Sequence, residues 1–286
     1  MRIGFFGDVI GASGREGVLA HLPGLRRRLG LDFVVVNAEN AAGGFGVTEK
    51  IANELFDAGA DCLTLGNHTW DQREVLTLVD REPRILRPLN YPALSHPPGK
   101  GAYLYEAPGG RRVLVISLHG RVHMDALDDP FAAVDRELEA CPLGVAADAI
   151  VVDMHAEATS EKMAMGAFCD GRASLVVGTH THVPTADAQV LPGGTAYQTD
   201  AGGCCDYDSV IGMDKAEPVR RFTTRLPGAR YTPAAGPATV CGVFLETDDR
   251  TGLARRCEPI RVGGRLRPAL PEVAAVAVGS TFSTVE

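Results

Sequence analysis

The segment ASLVVGTHTH, residues 173–182, places two histidines directly after a short apolar run. Short apolar runs rich in β-branched residues are typical of strands buried on both faces. Because residues i and i+2 of an extended segment point to the same side, the pattern predicts that His180 and His182 enter one cavity as metal ligands. Taken alone, the pair is explained equally well as two exposed loop histidines.

Five earlier segments show the same arrangement of an apolar run that ends in polar residues. In open α/β sheets the ligand crevice lies outside the carboxyl ends of the strands, so residues that are distant in sequence meet at one edge of the sheet. The pattern therefore predicts one shared site at the strand ends. The polar residues at these ends are Asp8, Glu39 with Asn40, Asn67 with His68, His119, and His155.

The composition limits the class of protein and the kind of partner. The chain has 286 residues and is 45% hydrophobic, which can fill a core, although length alone does not choose between one domain and two. The formal net charge of −8 argues against long nucleic acid as a partner, because such binding needs a broad basic surface. A small anionic substrate is compatible with this charge, since bound metal ions supply positive charge locally.

The seven cysteines lack a CxxC spacing, which predicts reduced thiols rather than a zinc knuckle or a redox pair. Cys62 lies in a strand-like run and is interpreted as a core residue, whereas a functional thiol at Cys204 or Cys205 stays open. The N-terminal sequence lacks the features of a secretory signal, and no run approaches the roughly 20 apolar residues that span a bilayer. We therefore expect a cytoplasmic protein without a membrane partner.

Strand-like and helix-like segments alternate in the first half of the chain, which is typical of an α/β fold. Helices are predicted at about 15–29, 48–58, 72–80 and 130–140. The second half is predicted to be β-rich from about residue 184, with hairpin strands at 187–191, 195–199, 238–247 and 253–262. The candidate ligands span residues 8–182, so we expect one domain over residues 1–286, its end from about 273 loosely held.

The candidate ligands are carboxylates, amides and imidazoles without a thiolate, a set that suits manganese, iron or zinc. Two ions about 3.5–4 Å apart need a shared ligand, and a carboxylate can bridge them. Glu39 is the candidate bridge. Each residue has a structural alternative when it stands alone: Asp8 as a helix cap, Asn67 in a turn, His119 as a core histidine.

Together these residues resemble the calcineurin-like metallophosphoesterases, whose motifs are an Asp, a bridging acid, Gly-Asn-His, a lone His and Gly-His-x-His, each after a strand. More closely, they are similar to the YmdB-type branch of bacterial phosphodiesterases. The resemblance implies an α/β/β/α sandwich of two mostly parallel or mixed sheets flanked by helices. It is carried by residues 7–11, 37–44, 66–71, 178–184, 199–202 and 206–213, and covers most of the chain.

Two departures from the general superfamily pattern affect the metal ligands. Asp8 is followed by Val9-Ile10 instead of forming Asp-x-His, which removes one imidazole, and Glu39 stands where a bridging Asp is usual. The closer branch implies that Asn40 supplies the missing ligand. The implied ligand sets are Asp8, Glu39, Asn40 and His182 for one ion, and Glu39, Asn67, His155 and His180 for the other.

His68 is left free by this assignment, and the resemblance implies that it protonates the departing oxygen as a general acid. His119 stays outside the metal set, with two interpretations open: it lines the cleft, or it orients a ligand.

The resemblance implies a phosphodiesterase that uses two divalent or mixed-valence transition-metal ions, with iron or manganese favoured over zinc. Its substrates would be small phosphate esters, with 2′,3′-cyclic nucleotides as one class, attacked by a hydroxide that bridges the ions. Two alternatives stay open: a phosphomonoesterase or nucleotidase with the same metal centre, and a nucleotide-sensing regulatory protein that needs no turnover. Assembly into a homo-oligomer stays open as well.

Overall fold

A computed structural model describes residues 1–273 and packs two six-stranded sheets against each other. The first sheet contains, in spatial order, β12 (Ala254–Gly263), β11 (Thr239–Thr247), β1 (Arg2–Phe6), β2 (Phe33–Asn37), β3 (Cys62–Thr64) and β4 (Ile85–Leu86). Strands β1 to β4 are parallel, whereas β11 pairs antiparallel with β1 and β12 antiparallel with β11. The first sheet is therefore mixed.

The second sheet is also mixed. It contains, in spatial order, β5 (Ala102–Ala107), β6 (Arg111–His119), β7 (Ala149–His155), β8 (Leu175–Thr179), β10 (Ala196–Gln198) and β9 (Gln189–Val190). The four central strands are parallel, and β5 and β9 pair antiparallel at the two edges. The two predicted hairpins of the second half are present as β9–β10 and β11–β12.

Helices α1 to α5 cover the outer faces of the two sheets; they are α1 (Gly11–Leu29), α2 (Glu49–Asp57), α3 (Val75–Arg81), α4 (Pro130–Ala140) and α5 (Thr159–Cys169). A further helix, α6 (Ala216–Thr224), buries little of its surface, and a short 3₁₀ turn lies at Ala93–Ser95. One apolar cluster joins α1, α2 and α3 to the first sheet, another joins α4 and α5 to the second, and a third fills the space between the sheets. The α/β/β/α sandwich is confirmed.

Burial on both faces explains why polar groups collect at the strand ends. Every residue of β2 and of β7 is buried, so these strands read as almost continuous apolar runs. The carboxyl ends of β2 and β7 meet across the two sheets, where Asn37 Nδ2 donates to Asp153 Oδ2 at 3.0 Å. Residues that follow strands of both sheets are thereby brought to one edge of the sandwich.

Side-chain caps mark the starts of two helices. The Thr48 hydroxyl accepts a hydrogen bond from the Ile51 N–H at the start of α2, and Asp129 caps α4, which begins with Pro130. Besides the 3₁₀ turn, four elements of residues 1–273 were not predicted: β4, β5, α5, and α6, which lies inside the segment expected to be β-rich.

The single-domain prediction stays a prediction, and the expectation of a loosely held end concerns residues beyond 273, outside the described part. Among the helices of residues 1–273, none is long and apolar enough to cross a membrane.

Candidate metal centre

Glu39 is the shared member of two groups of potential ligands. Its buried carboxylate follows β2, and it belongs both to a group with His155 and His180 and to a group with Asp8 and His182. Within each group the ligand atoms lie within 4.8 Å of one another. One carboxylate common to two adjacent groups is the arrangement that a bridging ligand requires.

The first group converges on the His155 ring. His155 Nε2 lies 3.0 Å from Glu39 Oε1, 2.9 Å from Asn67 Oδ1 and 3.1 Å from His180 Nδ1. A single ring nitrogen carries at most one proton, so it cannot satisfy these three neighbours by hydrogen bonding. A cation accepts electron pairs from all four atoms, and this donor set therefore fits a metal ion.

A buried oxygen without a partner lies beside the second group. Asn40 Nδ2 donates to Gly44 O at 2.9 Å, which leaves Asn40 Oδ1 buried without a hydrogen bond to any of residues 1–273, and Asn40 lines the same cleft as Glu39 and His182. In the group itself, His182 Nε2 lies 3.8 Å from Asp8 Oδ1. An unpaired buried acceptor is costly in an apolar interior, so a cation bound here would give the Asn40 oxygen a partner.

The histidine pair does not occupy an extended segment, contrary to the expectation from residue spacing. Strand β8 ends at Thr179, and both following histidines have left-handed backbones, with φ of 89° at His180 and 63° at His182. The His180 N–H faces both Asp8 carboxylate oxygens at 3.2 and 3.3 Å, and His182 Nδ1 lies 2.8 Å from Ile211 O. The turn directs the two rings into different groups.

A buried ion pair holds this turn in place. Lys162 Nζ of α5 lies 2.7 Å from Asp200 Oδ2, and both side chains are almost completely buried. The same oxygen accepts from Thr181 Oγ1 at 2.6 Å, while Asp200 Oδ1 accepts from Gly202 N at 2.8 Å. Breaking a buried pair by removing one partner costs about 3–5 kcal/mol, so the pair fixes the residue between the two histidines firmly.

His68 stands apart from both ligand groups and opens to the cleft. Its side chain is 28% exposed, and its Nδ1 lies 2.8 Å from Asp71 Oδ2. The Phe45 ring contacts it edge-on at 5.1 Å between centroids. A carboxylate at Nδ1 fixes the orientation of the imidazole, which leaves Nε2 as the nitrogen free to exchange a proton with a bound molecule.

The pKa values of the buried ligands move in opposite directions. Burial raises the pKa of Asp8 to about 6. Burial lowers the pKa of His180, and the charge of His155 lowers it further, to about 2. Burial alone would raise the pKa of Glu39 and lower that of His155, but their mutual attraction outweighs it, and the values become about 2 and about 9. The lowered pKa leaves His180 neutral, which is the form in which an imidazole binds a metal ion.

Four of the proposed ligands line a cleft of about 260 Å³: Glu39, Asn40, His180 and His182. The segment after Asp200 reaches this cleft through Ile211 and Met213. Apolar and aromatic side chains line the same cleft: Phe45, Ile211, Met213 and Tyr231.

A model of the YmdB-like protein family matches residues 5–260. The chain belongs to the YmdB-like family. This YmdB-like chain is 46% identical over 262 residues to the 2′,3′-cyclic-nucleotide 2′-phosphodiesterase of Bacillus subtilis (strain 168), covering 92% of this chain and 97% of the relative.

Two solved structures share the YmdB-like fold. A hypothetical protein from Thermus thermophilus has a TM-score of 0.85 and 43% identity, covering 93% of this chain and 100% of its own. A structure described as a novel phosphatase from Mycoplasma pneumoniae also has a TM-score of 0.85, with 33% identity, covering 92% of this chain and 93% of its own. The YmdB-like chain is thus a metallophosphoesterase, and its family implies divalent metal ions.

Every predicted site residue of this YmdB-like chain reaches the same edge of the sandwich. The eight residues are Asp8, Glu39, Asn40, Asn67, His68, His155, His180 and His182. His119 lies outside both ligand groups: it is buried with its ring centroid 6.3 Å from that of His155, and within residues 1–273 its Nδ1 has no hydrogen-bond partner.

The two loop cysteines of the YmdB-like chain are buried, and burial raises the pKa of both thiols. A reactive cysteine needs an exposed, electropositive setting, so the structure gives no support to a functional thiol at Cys204 or Cys205.

Sequence reasoning missed Asp71 and the Lys162–Asp200 pair. Asp71 follows His68 by three residues, a spacing at which a side chain can turn back to an imidazole. A lysine with a buried side chain in α5 must be paired, but its partner lies 38 residues away and only the fold reveals it.

Gly66 packs directly against the ligands, and we expect Gly66→Ala to weaken metal affinity by at least about 10-fold, the scale of losing a partner that orients a ligand. A Cβ at this position would overlap the His155 ring and Glu39 Oε2. The matched control is Gly24→Ala in α1, whose Cβ would meet nothing within 4 Å. Metal titration of both variants measures the effect, and equal affinities would show that the ligands are not packed this closely.

Proposed function

We propose that this protein is a dinuclear metal-dependent phosphodiesterase that hydrolyses small phosphate esters, with 2′,3′-cyclic nucleotides as the principal class. One observation carries the proposal: Glu39 is common to two ligand groups, each gathered within 4.8 Å. A single ion would need only one of these groups. The presence of a second group around Glu39 therefore favours two ions.

The ligands divide between two ions as the family resemblance implies. Asp8, Asn40 and His182 would hold one ion, Asn67, His155 and His180 the other, and Glu39 both. When bound, the ions would neutralise phosphate charge and supply a strong nucleophile near neutral pH. Iron and manganese suit this set of oxygen and nitrogen donors, and zinc is compatible with it.

The protein itself supplies the proton for the departing oxygen. His68 is oriented by Asp71 at 2.8 Å and lines the same cleft as Glu39. Its backbone N–H donates to Glu39 Oε2 at 3.2 Å, so the acid and the shared ligand are held in a fixed relation. Protonating the oxygen as the P–O bond breaks keeps that oxygen from leaving as an alkoxide, which is the role of a general acid.

The cleft supports a nucleoside-sized substrate. Its volume of about 260 Å³ combines a polar floor with the aromatic side chains Phe45 and Tyr231. An aromatic wall suits a nucleobase, because every base presents a flat π-face for stacking. The Bacillus subtilis relative carries the name of an enzyme for 2′,3′-cyclic nucleotides, and its identity to this chain favours the same class here.

A phosphomonoesterase with the same centre is the second candidate, favoured by the relative from Mycoplasma pneumoniae that is described as a phosphatase. The decisive assay compares 2′,3′-cyclic AMP with 3′-AMP, using protein of measured metal content. We expect two ions per chain and turnover of the cyclic ester. Preferential hydrolysis of 3′-AMP would favour the monoesterase, and no turnover with two ions bound would favour a nucleotide-sensing regulatory protein.

A further inference from the structure

Four buried polar side chains form hydrogen bonds between the two sheets, near the strand ends that carry the proposed ligands. Each of them precedes a proposed ligand by one to three residues in the sequence. The cluster therefore lies on the core side of the proposed ligands. The cluster consists of Asn37 at the end of β2, Thr64 at the end of β3, Asp153 in β7 and Thr179 at the end of β8.

Asp153 is the centre of the cluster. Its Oδ2 accepts hydrogen bonds from Thr64 Oγ1 at 2.6 Å and from Asn37 Nδ2 at 3.0 Å, and its Oδ1 accepts from Thr179 Oγ1 at 2.6 Å. Replacing a buried polar network by apolar side chains is often neutral or stabilising. A carboxylate here is therefore not required by the packing of the sheets, and its contacts point to another role.

The direction of the hydrogen bonds fixes the orientation of one ligand. An ionised carboxylate only accepts, so the single hydroxyl proton of Thr179 is donated to Asp153, and Thr179 Oγ1 accepts from its other neighbours. The nearer of these is His155 Nδ1 at 2.8 Å, and Asn37 Nδ2 lies 3.5 Å away. With its proton on Nδ1, His155 keeps an electron pair on Nε2, the nitrogen that lies 3.0 Å from Glu39 Oε1 and 3.1 Å from His180 Nδ1, where that pair is available to a metal ion.

A second chain of hydrogen bonds connects Asp153 to Glu39, the ligand shared by both groups. Asn37 donates its amide hydrogen to Asp153, and its Oδ1 accepts from the backbone N–H of Glu39 at 3.2 Å. We propose that Asp153 is a positioning residue that orients His155 through Thr179 and the Glu39 segment through Asn37. The inference rests on the proposed metal centre, because it concerns how that centre is aligned.

The test compares two substitutions of Thr179 that differ in the hydroxyl group. Thr179→Val keeps the branched shape and removes the donor and acceptor, whereas Thr179→Ser keeps the hydroxyl. We expect Thr179→Val to weaken binding of one of the two ions about 10- to 100-fold, the effect of losing a partner that orients a ligand, and Thr179→Ser to retain it. Elemental analysis after dialysis and metal titration measure this, beside the Tm of the metal-free proteins.

The outcomes separate the inference from the proposed function. Wild-type protein without metal affinity would overturn both. Two tightly bound ions in wild type and also in Thr179→Val, with only the Tm lowered, would overturn the positioning role alone.

The tautomer can be measured without a variant, which covers the case in which Thr179→Val does not fold. We expect the ¹⁵N imidazole spectrum of zinc-loaded wild-type protein to show His155 protonated at Nδ1 and coordinated through Nε2. Coordination through Nδ1 would overturn the inference.

Discussion

Glu39→Gln is expected to abolish activity and to release both metal ions. The substitution keeps the size of the side chain but removes the negative charge that two adjacent ligand groups share. Bound ions contribute several kcal/mol to stabilising the transition state, and about 4 kcal/mol corresponds to a loss of about 10³-fold in rate. We therefore expect kcat/KM to fall at least about 10³-fold, measured beside the metal content of the dialysed protein.

The control for this variant is Glu139→Gln, which removes the same charge from an exposed position in α4. It should keep both ions and full activity. If Glu39→Gln retained both ions, the carboxylate would not be the bridge. Loss of a single ion would place Glu39 in one ligand group only, and would contradict the dinuclear assignment.

His68→Ala is expected to show the opposite combination, with turnover slowed and metal retained. General acid catalysis contributes about 10²- to 10⁴-fold, and His68 belongs to neither ligand group in residues 1–273. His155→Ala is the matched comparison, because it also removes an imidazole but should lose metal and activity together. Metal content and kcat of the two variants separate the roles, and metal loss in His68→Ala would make this histidine a ligand.

The leaving group gives a sharper form of the same test. A nitrophenolate is stable without protonation, so an ester of p-nitrophenol needs little help from an acid. The defect of His68→Ala should therefore be much smaller with bis(p-nitrophenyl) phosphate than with 2′,3′-cyclic AMP. Equal defects with both substrates would indicate that His68 binds the phosphate rather than protonates the departing oxygen.

Strand-end reasoning located the candidate site because the central strands are buried on both faces. The polar residues directly after β1, β2, β3, β7 and β8 stand out against these mainly apolar runs, so the sequence marked each position. The same reasoning gave the wrong geometry for His180 and His182. Spacing indicates which residues are near each other, but it does not reveal a left-handed backbone.

The elements that were missed lack a clear apolar period. In α6 only Pro218 is buried, so the helix has almost no core-facing stripe from which it could be predicted. In α5 the buried positions include Glu161 and Lys162, which interrupt the apolar pattern. Strand β5 lies at a sheet edge and is only partly buried. Their conformations depend on partners elsewhere in the chain, which sequence patterns do not contain.

One acidic residue within an apolar strand does indicate a buried hydrogen-bond network from the sequence alone. Asp153 lies within the run Ile150-Val151-Val152-Asp153-Met154, where every side chain is buried. A buried charge must be paired or hydrogen-bonded, so its position already required polar partners from neighbouring strands. Which partners those are, and that they include Thr179, depends on the pairing of β7 with β8 and on the packing of the two sheets.

The left-handed backbones of His180 and His182 have a consequence for protein engineering. Glycine adopts such φ values without steric cost, whereas another residue in a sparsely populated region costs on the order of 1–3 kcal/mol. A redesign that optimises backbone geometry alone would therefore select glycine at both positions. We expect the resulting protein to be more stable but inactive, because two proposed metal ligands would be removed. Positions 180 and 182 should be held fixed in any such redesign, since here stability and activity favour different residues.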